Sequence, residues 1–236
     1  MTQSPKNTNV QAMFDRIAPE YDKMNNIISL GTHKNWRRRV MSKINFFHAT
    51  QILDIATGTA DWALALAEKS LPEAKVTGLD FSAAMLAVGQ KKVDQAGLSD
   101  KVKLVQGDAM QLPFEDDSFD IVTIGFGLRN LPDPRKGLEE MYRVLKPGGQ
   151  LVILETSQPD SQLIRPFWKF YFGQVMPWFG QLFAHGKKQE YKYLDETTEN
   201  FMSYRQLQML LGDLGFTKVR VQRFNFGAAA AHYASK

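Results

Sequence analysis

The sequence predicts an α/β protein with a mostly parallel, seven-stranded sheet and helices on both faces of that sheet. From Gln51 onward, short apolar segments alternate with segments of helical periodicity, at the spacing of strand–helix–strand units. The first three apolar segments are each followed by or end in an aspartate, and the chain closes with a pair of strand-like segments. Strands that alternate with crossover helices pair in parallel, so we expect a doubly wound sheet.

Five strands are predicted in the alternating part, at residues 51–56 (QILDIA), 74–80 (AKVTGLD), 101–108 (KVKLVQGD), 119–127 (FDIVTIGFG) and 148–155 (GGQLVILE). Helices are predicted between them at residues 62–69, 81–97 and 133–145. Gly97 is placed to stop the second of these helices. A last helix is predicted at residues 203–216, followed by strands at 218–225 and 228–236.

Two further helices are predicted ahead of this alternation. In the first, Val10, Met13, Phe14 and Ile17 recur at helical spacing, and Pro19 breaks the pattern. The second covers residues 32–44, with an apolar face opposite the basic triplet at 37–39. We expect one domain in which residues 1–48 form a helical cap, 49–156 the core, 157–200 a helical insert and 201–236 the C-terminal helix and strands.

The expected insert has a different composition from the rest of the chain. Residues 163–183 contain eight aromatic residues in 21 positions. One interpretation is a buried helical pair that packs onto the domain. The other is an apolar wall for a hydrophobic substrate, or a membrane-facing surface, with the charged ends of Arg165 and Lys169 reaching water.

Composition excludes several classes of protein. The 236 residues include no cysteine, so disulfide and thiolate chemistry are excluded. The N-terminal residues lack an apolar run, and no 18-residue stretch is free of charge, so neither a secretory signal nor a membrane span is predicted. We expect a cytoplasmic protein with no metal site. The net charge of +4 fits either a mildly basic surface or attraction to an anionic partner.

The strand ends carry the candidate ligand-binding residues. In open α/β sheets, ligands bind at the carboxyl ends of the strands, where Asp54, Asp80 and Asp108 are expected. Asp80 is suited to accept hydrogen bonds from two ribose hydroxyls, and Asp108 with Ala109 to hold an adenine. Together these residues indicate a cofactor that contains adenosine. The alternative for Asp54 is a buried acceptor of backbone N–H groups.

The turn after the first strand, ATGTAD, decides between adenosine cofactors. The dinucleotide pattern G-x-G-x-x-G is absent, and only Gly58 fills a glycine role, which disfavours a pyrophosphate. Thr59 and Asp61 are suited to bind the carboxylate and ammonium groups of S-adenosylmethionine. The alternative is that both residues cap the next helix.

Four segments resemble class I S-adenosylmethionine-dependent methyltransferases: LDIATGTAD, GLDFSAAML, GDAMQLPFEDDSFD and RVLKPGGQLVILE. Two more, YDKMNNIISLGTHKNWRR (21–38) and FGLRNLPD (126–133), resemble the ubiquinone/menaquinone biosynthesis C-methyltransferases. This resemblance covers nearly the whole chain. It implies transfer of a methyl group from S-adenosylmethionine to a ring carbon of a polyprenylated quinol, demethylmenaquinol or a benzoquinol precursor of ubiquinone.

The resemblance also implies cofactor contacts at Thr59, Asp80, Asp108 with Ala109, and Gly125; Phe81, next to Asp80, joins this set. At Gly125 the contact must come from the backbone. Ala60 departs from the family, which usually has glycine there. We expect its methyl group to have little effect unless φ at Ala60 is positive.

The reaction needs groups that position the substrate and stabilise a phenolate. Arg129 suits the second task, directly or through a water molecule, and Asn130 can donate to the other ring oxygen. The alternative for Arg129 is a surface ion pair with Asp133 or Glu155, and for Asn130 a turn residue.

Two residues of the cap complete the catalytic set. His33 is a candidate general base, and Tyr21 a candidate contact for the cofactor or the quinol. The alternatives are a helix-start residue for His33 and packing for Tyr21. Asp61 is a second candidate base, which would exclude it from binding the ammonium group.

The partner expected besides the quinol is the membrane in which such a substrate dissolves. The aromatic insert and the basic residues Lys34, Arg37, Arg38 and Arg39 suit transient contact with anionic lipid at the inner face of the cell membrane. No nucleic acid partner is expected, and a homodimer stays open. The rival functions are methylation of RNA or a small metabolite, a non-catalytic scaffold of quinone synthesis, and an NAD dehydrogenase.

Overall fold

The computed structural model describes residues 5–29, 31–157, 197 and 201–236. The predicted aromatic insert at 157–200, with Arg165 and Lys169, lies almost wholly outside the described residues. Both interpretations of that insert therefore stay open.

The described part of the chain forms a seven-stranded sheet of order β3-β2-β1-β4-β5-β7-β6. Strands β1 to β5 run parallel, and β7 runs antiparallel to both of its neighbours, β5 and β6. The predicted fold class is confirmed. The strands are β1 (Gln51–Ile55), β2 (Lys75–Asp80), β3 (Val102–Gln106), β4 (Phe119–Gly125), β5 (Leu145–Thr156), β6 (Thr217–Phe224) and β7 (Ala229–Ser235).

The α-helices in the described ranges are α1 (Pro5–Ile17), α2 (Tyr21–Ile28), α3 (Thr32–Met41), α4 (Asp61–Lys69), α5 (Ala83–Gln95), α6 (Pro134–Val144) and α7 (Tyr204–Asp213). Helix α1 ends before Pro19, as predicted, and Pro19 lies in the short 3-10 turn Ala18–Glu20. Helix α2 was not predicted, although Tyr21, Met24 and Ile28 recur along it at helical spacing. Within the described ranges, no helix has both the length and the apolarity needed to cross a bilayer.

Apolar side chains cover both faces of the sheet. Along β1, Ile52 points into the cluster that includes Trp62 and Leu66 of α4. Its neighbour Leu53 points into the opposite cluster, which includes Leu138 of α6. A parallel sheet with helices on both faces needs this continuous apolar pattern, since neither face meets water.

The N-terminal helices rest on the carboxyl end of β2. The predicted apolar face of α1 is buried in one cluster with Met24 of α2 and Met85 of α5. Polar contacts add to this packing: the Gln11 side chain donates to the carbonyl of Phe81 (3.0 Å), and the Ser82 hydroxyl donates to Asp15. The cap thus lies beside the point where strand order reverses, between β1 and β4.

Candidate active site

A cavity of about 300 Å³ opens at the carboxyl ends of β1, β2 and β4. The cap contributes its roof, with Val10, Gln11, Phe14 and Tyr21. The sheet side includes most of the predicted site residues: Gly58, Asp80, Phe81, Asp108, Ala109, Gly125 and Asn130. Residues from six separate segments therefore meet in one place. The lining does not include Thr59, Asp61, His33 or Arg129.

Asp80 is held in place by backbone donors. Its two carboxylate oxygens accept hydrogen bonds from the N–H groups of Gly58 (2.8 Å) and Ser82 (2.9 Å). Burial raises the pKa of Asp80 to about 6, although these hydrogen bonds favour the charged form. A carboxylate has about four lone-pair sites, so Asp80 can still accept a hydrogen bond from a ligand hydroxyl.

The turn after β1 has three residues with positive φ: Ala56 (52°), Gly58 (55°) and Ala60 (63°). Ala60 is the position where the sequence departs from the resembling family. Its φ is positive, so the alanine strains the backbone, and the expectation that its methyl group has little effect does not apply. Gly89 of α5 accommodates the methyl group, since a Cβ at Gly89 would lie 3.0 Å from the Cβ of Ala60.

Asp54 lies beneath this turn and is almost fully buried. It accepts hydrogen bonds from the hydroxyls of Thr57 (2.6 Å) and Thr123 (2.7 Å). It is therefore a buried acceptor, but of side-chain hydroxyls rather than of backbone N–H groups. Burial raises its pKa to about 7.

Two glycines let neighbouring side chains approach the end of β4. A Cβ on Gly125 would lie 2.6 Å from the indole of Trp62, and one on Gly127 would lie 2.4 Å from the Cβ of Ala56. Neither contact is tolerable, so these glycines are required by packing around the cavity. Trp62 was not among the predicted site residues, because its helical position indicated only core.

Arg129 and Asn130 lie in the 3-10 turn Leu128–Asn130. The Arg129 guanidinium donates to Glu155 (2.6 Å) and to the carbonyl of Phe126 (2.7 Å). The ion pair with Glu155 exists, but in the interior rather than at the surface. Arg129 thus lies behind the cavity wall, and its predicted contact with the substrate stays a prediction.

Asn130 reaches the cavity itself. Its amide N–H donates to the carbonyl of Phe126 (3.3 Å), which leaves the Oδ1 atom buried and without a partner in the described part of the chain. The Nε atom of Arg129 is buried and unpaired there as well. A buried acceptor and a buried donor without partners are costly unless a ligand or water pairs with them.

Tyr21 forms part of the roof. Its ring would be 3.8 Å from a Cβ at Gly58, so it lies directly over the turn after β1. Burial raises its pKa, partly offset by a hydrogen bond with Asn25 and by the charge of Arg129. Tyr21 is therefore a phenol, not a phenolate, at neutral pH and can act as a hydrogen-bond donor.

His33 lies in α3, where its Nδ1 atom pairs with the Ser29 hydroxyl. Burial lowers its pKa, and the charges of Arg37 and Lys34 add to this effect. The ring is therefore neutral at pH 7 and chemically able to accept a proton. Its role as a base stays a prediction.

Thr59 and Asp61 contact other protein groups. The Thr59 hydroxyl donates to Asp22 (2.6 Å), and Asp61 pairs with Arg37 (2.8 Å) and Lys92. The helix-capping alternative is wrong for both residues, because the N-cap position of α4 is Ala60 and no side chain caps the helix there. Burial would raise the pKa of Asp61, but Arg37 and Lys92 outweigh it and lower that pKa.

The sequence profile of the ubiE/COQ5 methyltransferase family matches residues 1–236. The chain belongs to the ubiE/COQ5 methyltransferase family. A demethylmenaquinone methyltransferase from Lactiplantibacillus plantarum is 57% identical over 228 residues, which cover 97% of this chain and 96% of that one. A demethylmenaquinone methyltransferase from Staphylococcus aureus is 49% identical over 227 residues, covering 96% and 92% of the two chains.

Solved structures agree on the fold. A SAM-dependent methyltransferase from Thermotoga maritima superposes with a TM-score of 0.67 at 21% identity, over 95% of this chain and 99% of that one. The predictions of the family, of an enzyme and of a methyltransferase with S-adenosylmethionine as cofactor are thus confirmed.

Proposed function

We propose that this methyltransferase transfers a methyl group from S-adenosylmethionine to a ring carbon of demethylmenaquinol, in menaquinone biosynthesis. The observation that carries the proposal is the near full-length identity, 57% and 49%, to two proteins named demethylmenaquinone methyltransferase. The cavity has groups that suit this reaction, with acidic residues at one end and the unpaired Oδ1 of Asn130 at the other.

The adenosine end of the cofactor fits the β2 and β3 side of the cavity. Asp80 would accept from the ribose hydroxyls, and Phe81 provides an aromatic surface next to it. Asp108 and Ala109 would hold the adenine, and the backbone at Gly58 leaves room for the polar end. S-adenosylmethionine supplies an electrophilic methyl group when bound.

The substrate ring fits between the cofactor and the Leu128–Asn130 turn. Loss of a proton from the quinol hydroxyl makes the neighbouring ring carbon nucleophilic, and that carbon must lie about 3–3.5 Å from the methyl group. The unpaired Oδ1 of Asn130 would accept a hydrogen bond from the other quinol hydroxyl, which keeps its proton. The unpaired Nε of Arg129, directly or through a water molecule, would stabilise the oxyanion that forms.

Formation of the new carbon–carbon bond is matched by cleavage of the sulfur–methyl bond, which leaves a neutral thioether. The ring carbon must then lose its own proton to restore aromaticity. His33 is neutral at pH 7 and remains a candidate for one of the two proton transfers. Tyr21, as a phenol over the turn after β1, would orient the quinol or the polar end of the cofactor.

Membrane contact is part of the proposal, because a prenylated quinol resides in the bilayer. On α3, Lys34, Arg38 and Arg39 are exposed, whereas Arg37 is engaged with Asp61. Three of the four predicted basic residues therefore remain available to anionic headgroups. Cosedimentation with anionic vesicles should fall for a triple alanine variant of these three; unchanged binding would count against this basic contact.

The test of the function is a comparison of acceptors. The purified protein, S-adenosylmethionine and reduced demethylmenaquinone with a short prenyl chain should yield menaquinol, and Asn130→Ala should lower kcat about 100-fold with the fold intact, because the ring loses a positioning contact. A higher kcat/KM for a benzoquinol precursor of ubiquinone would make that compound, rather than demethylmenaquinol, the preferred substrate. Calorimetry that detects no cofactor binding would favour a non-catalytic scaffold.

A further inference from the structure

Lys92 lies at the centre of a charged cluster that joins the cap to the turn after β1. Its ammonium group, on α5, donates to Asp22 of α2 (2.8 Å), to Thr59 (3.2 Å) and to Asp61 of α4. Asp61 also accepts from Arg37 of α3 (2.8 Å). The cluster therefore ties two cap helices to the core, α2 through Lys92 and α3 through the Arg37–Asp61 pair.

The charges in this cluster balance, with two cations and two carboxylates. Lys92 is the cation that contacts both Asp22 and Asp61. Without it, two carboxylates would face one another across Thr59, and Arg37 would compensate only Asp61. Like charges at such short range repel, so loss of Lys92 would push the cap away from the core.

The position of the cluster links it to the cofactor. Asp22 directly follows Tyr21, whose ring lies over Gly58 and lines the cavity. Asp61 directly follows the turn of positive φ residues, and Thr59, within that turn, donates to Asp22 (2.6 Å). A shift of Asp22 would therefore move both Tyr21, in the roof of the cavity, and the turn that contains Gly58 and Thr59, below it.

We propose that Lys92 is a positioning residue for S-adenosylmethionine. By bridging Asp22 and Asp61, it holds Tyr21 and the Gly58 turn at the separation that the polar end of the cofactor requires. Lys92 acts through these neighbours, and does not itself line the cavity. This role concerns the cofactor alone, so it stands apart from the identity of the quinol.

Salt should weaken this arrangement. The side chains of Lys92, Asp22 and Asp61 are 25%, 42% and 35% exposed, so dissolved ions can screen the pairs. Part of the salt dependence of cofactor affinity should therefore disappear when Lys92 is replaced. Removal of one positive charge also changes the long-range attraction for the cationic cofactor, and Lys91→Met, which removes the same charge, serves as the reference for that effect.

The experiment measures the Kd of S-adenosylmethionine by calorimetry, without quinol, at low and high salt. Lys92→Met should weaken binding roughly tenfold at low salt, the size expected when two partly exposed ion pairs are lost together. Lys92→Arg should recover most of the affinity. The matched control is Lys91→Met, which removes an exposed charge one position earlier on α5 and should change nothing.

Two more readouts separate positioning from general stability. Lys92→Met should raise the KM for the cofactor but not that for the quinol, and it should speed amide exchange in α2. Asp22→Asn keeps an acceptor for Thr59 while it removes one charge; combined with Lys92→Met, it should bind the cofactor more tightly than Lys92→Met alone. Should Lys92→Met fail to fold, Asp22→Asn alone should weaken binding by about threefold.

The proposal is overturned if Lys92→Met and Asp22→Asn bind the cofactor with the affinity and salt dependence of Lys91→Met. It is also overturned if the loss in Lys92→Met falls equally on the KM for cofactor and for quinol. Failure of the proposed substrate would leave these binding measurements unaffected.

Discussion

Arg129 and Glu155 form an ion pair in the interior of the protein, with 2.6 Å between Nη1 and Oε1 and only 8% and 2% of their side chains exposed. Glu155 also accepts from the backbone N–H of Arg129 (3.2 Å). The pair connects the turn after β4 to the end of β5. It thereby supports the wall from which Asn130 faces the cavity.

Replacement of Glu155 by Ala should be strongly destabilising. It leaves the Arg129 guanidinium buried without its counter-charge, which costs roughly 3–5 kcal/mol in free energy of unfolding. Denaturant unfolding measures this change. The control is Glu139→Ala, which removes one partner of the exposed Arg135–Glu139 pair and should cost less than about 1 kcal/mol. Equal effects of the two substitutions would contradict the structural role of Glu155.

Substitution of Gly127 by Ala should lower stability through a steric conflict with Ala56. The new Cβ would lie 2.4 Å from the Ala56 Cβ, and overpacking of this kind costs roughly 1–3 kcal/mol. Addition of Ala56→Gly should restore most of the loss, because it removes the opposing methyl group. Gly212→Ala, where a Cβ meets nothing within 4 Å, serves as the control. A double variant no more stable than Gly127→Ala would rule out this contact as the cause.

Substitution of Gly58 by Ala should weaken cofactor binding beyond its effect on folding. Gly58 has φ of 55° and Gly97 has φ of 66°, so alanine at either site adds similar backbone strain of about 1–2 kcal/mol. Only Gly58 lines the cavity. Calorimetry should show about tenfold weaker S-adenosylmethionine binding for Gly58→Ala and no change for Gly97→Ala. Unchanged binding in both variants would place the cofactor elsewhere.

Asp54 should make stability fall as pH rises towards neutrality. Its pKa is about 7 in the folded protein, against an ordinary value of 3.8, so the folded state binds the proton more tightly. The stabilisation is complete below the ordinary value and is lost as pH rises through about 7. Asp80, raised to about 6, acts in the same direction.

Asp54→Asn removes this ionisation and can keep contact with Thr57 and Thr123. The difference in free energy of unfolding, Asp54→Asn minus the unsubstituted protein, should be roughly 1–3 kcal/mol more favourable to the variant near pH 8 than near pH 5. Urea unfolding at the two pH values measures the difference. Asp100→Asn, at an exposed loop position, is the control. If this difference in free energy of unfolding is the same at both pH values, the raised pKa of Asp54 is contradicted.

Much of this protein was predictable from sequence, because its signals are local. The aspartates at the ends of β2 and β3 identified the cavity edge, and apolar periodicity identified the buried face of α1. The sequence left Asp133 and Glu155 open as ion-pair partners of Arg129, because the choice depends on which strand lies beside β4. Burial of that pair needs the packed sheet and could not be predicted from spacing.

Other parts depended on contacts between distant segments. Thr59 and Asp61 were suited to the cofactor by their place in the turn, but Asp22, Arg37 and Lys92 converge on them from three helices. No spacing in the sequence indicates that convergence. The strain at Ala60 likewise depends on its positive φ. Alanine rarely adopts such an angle, so the residue type alone indicated a negative φ and no strain.

The most direct test of the central proposal follows the transferred methyl group itself. The protein is incubated with S-adenosylmethionine carrying a ¹³C-labelled methyl group and reduced demethylmenaquinone, and the quinol product is oxidised in air and analysed by carbon NMR. The proposed C-methylation predicts the label in a methyl group bonded to a ring carbon, and much slower labelling in Asn130→Ala and Arg129→Ala. Label in a methoxy group, or full labelling in Arg129→Ala, would contradict it.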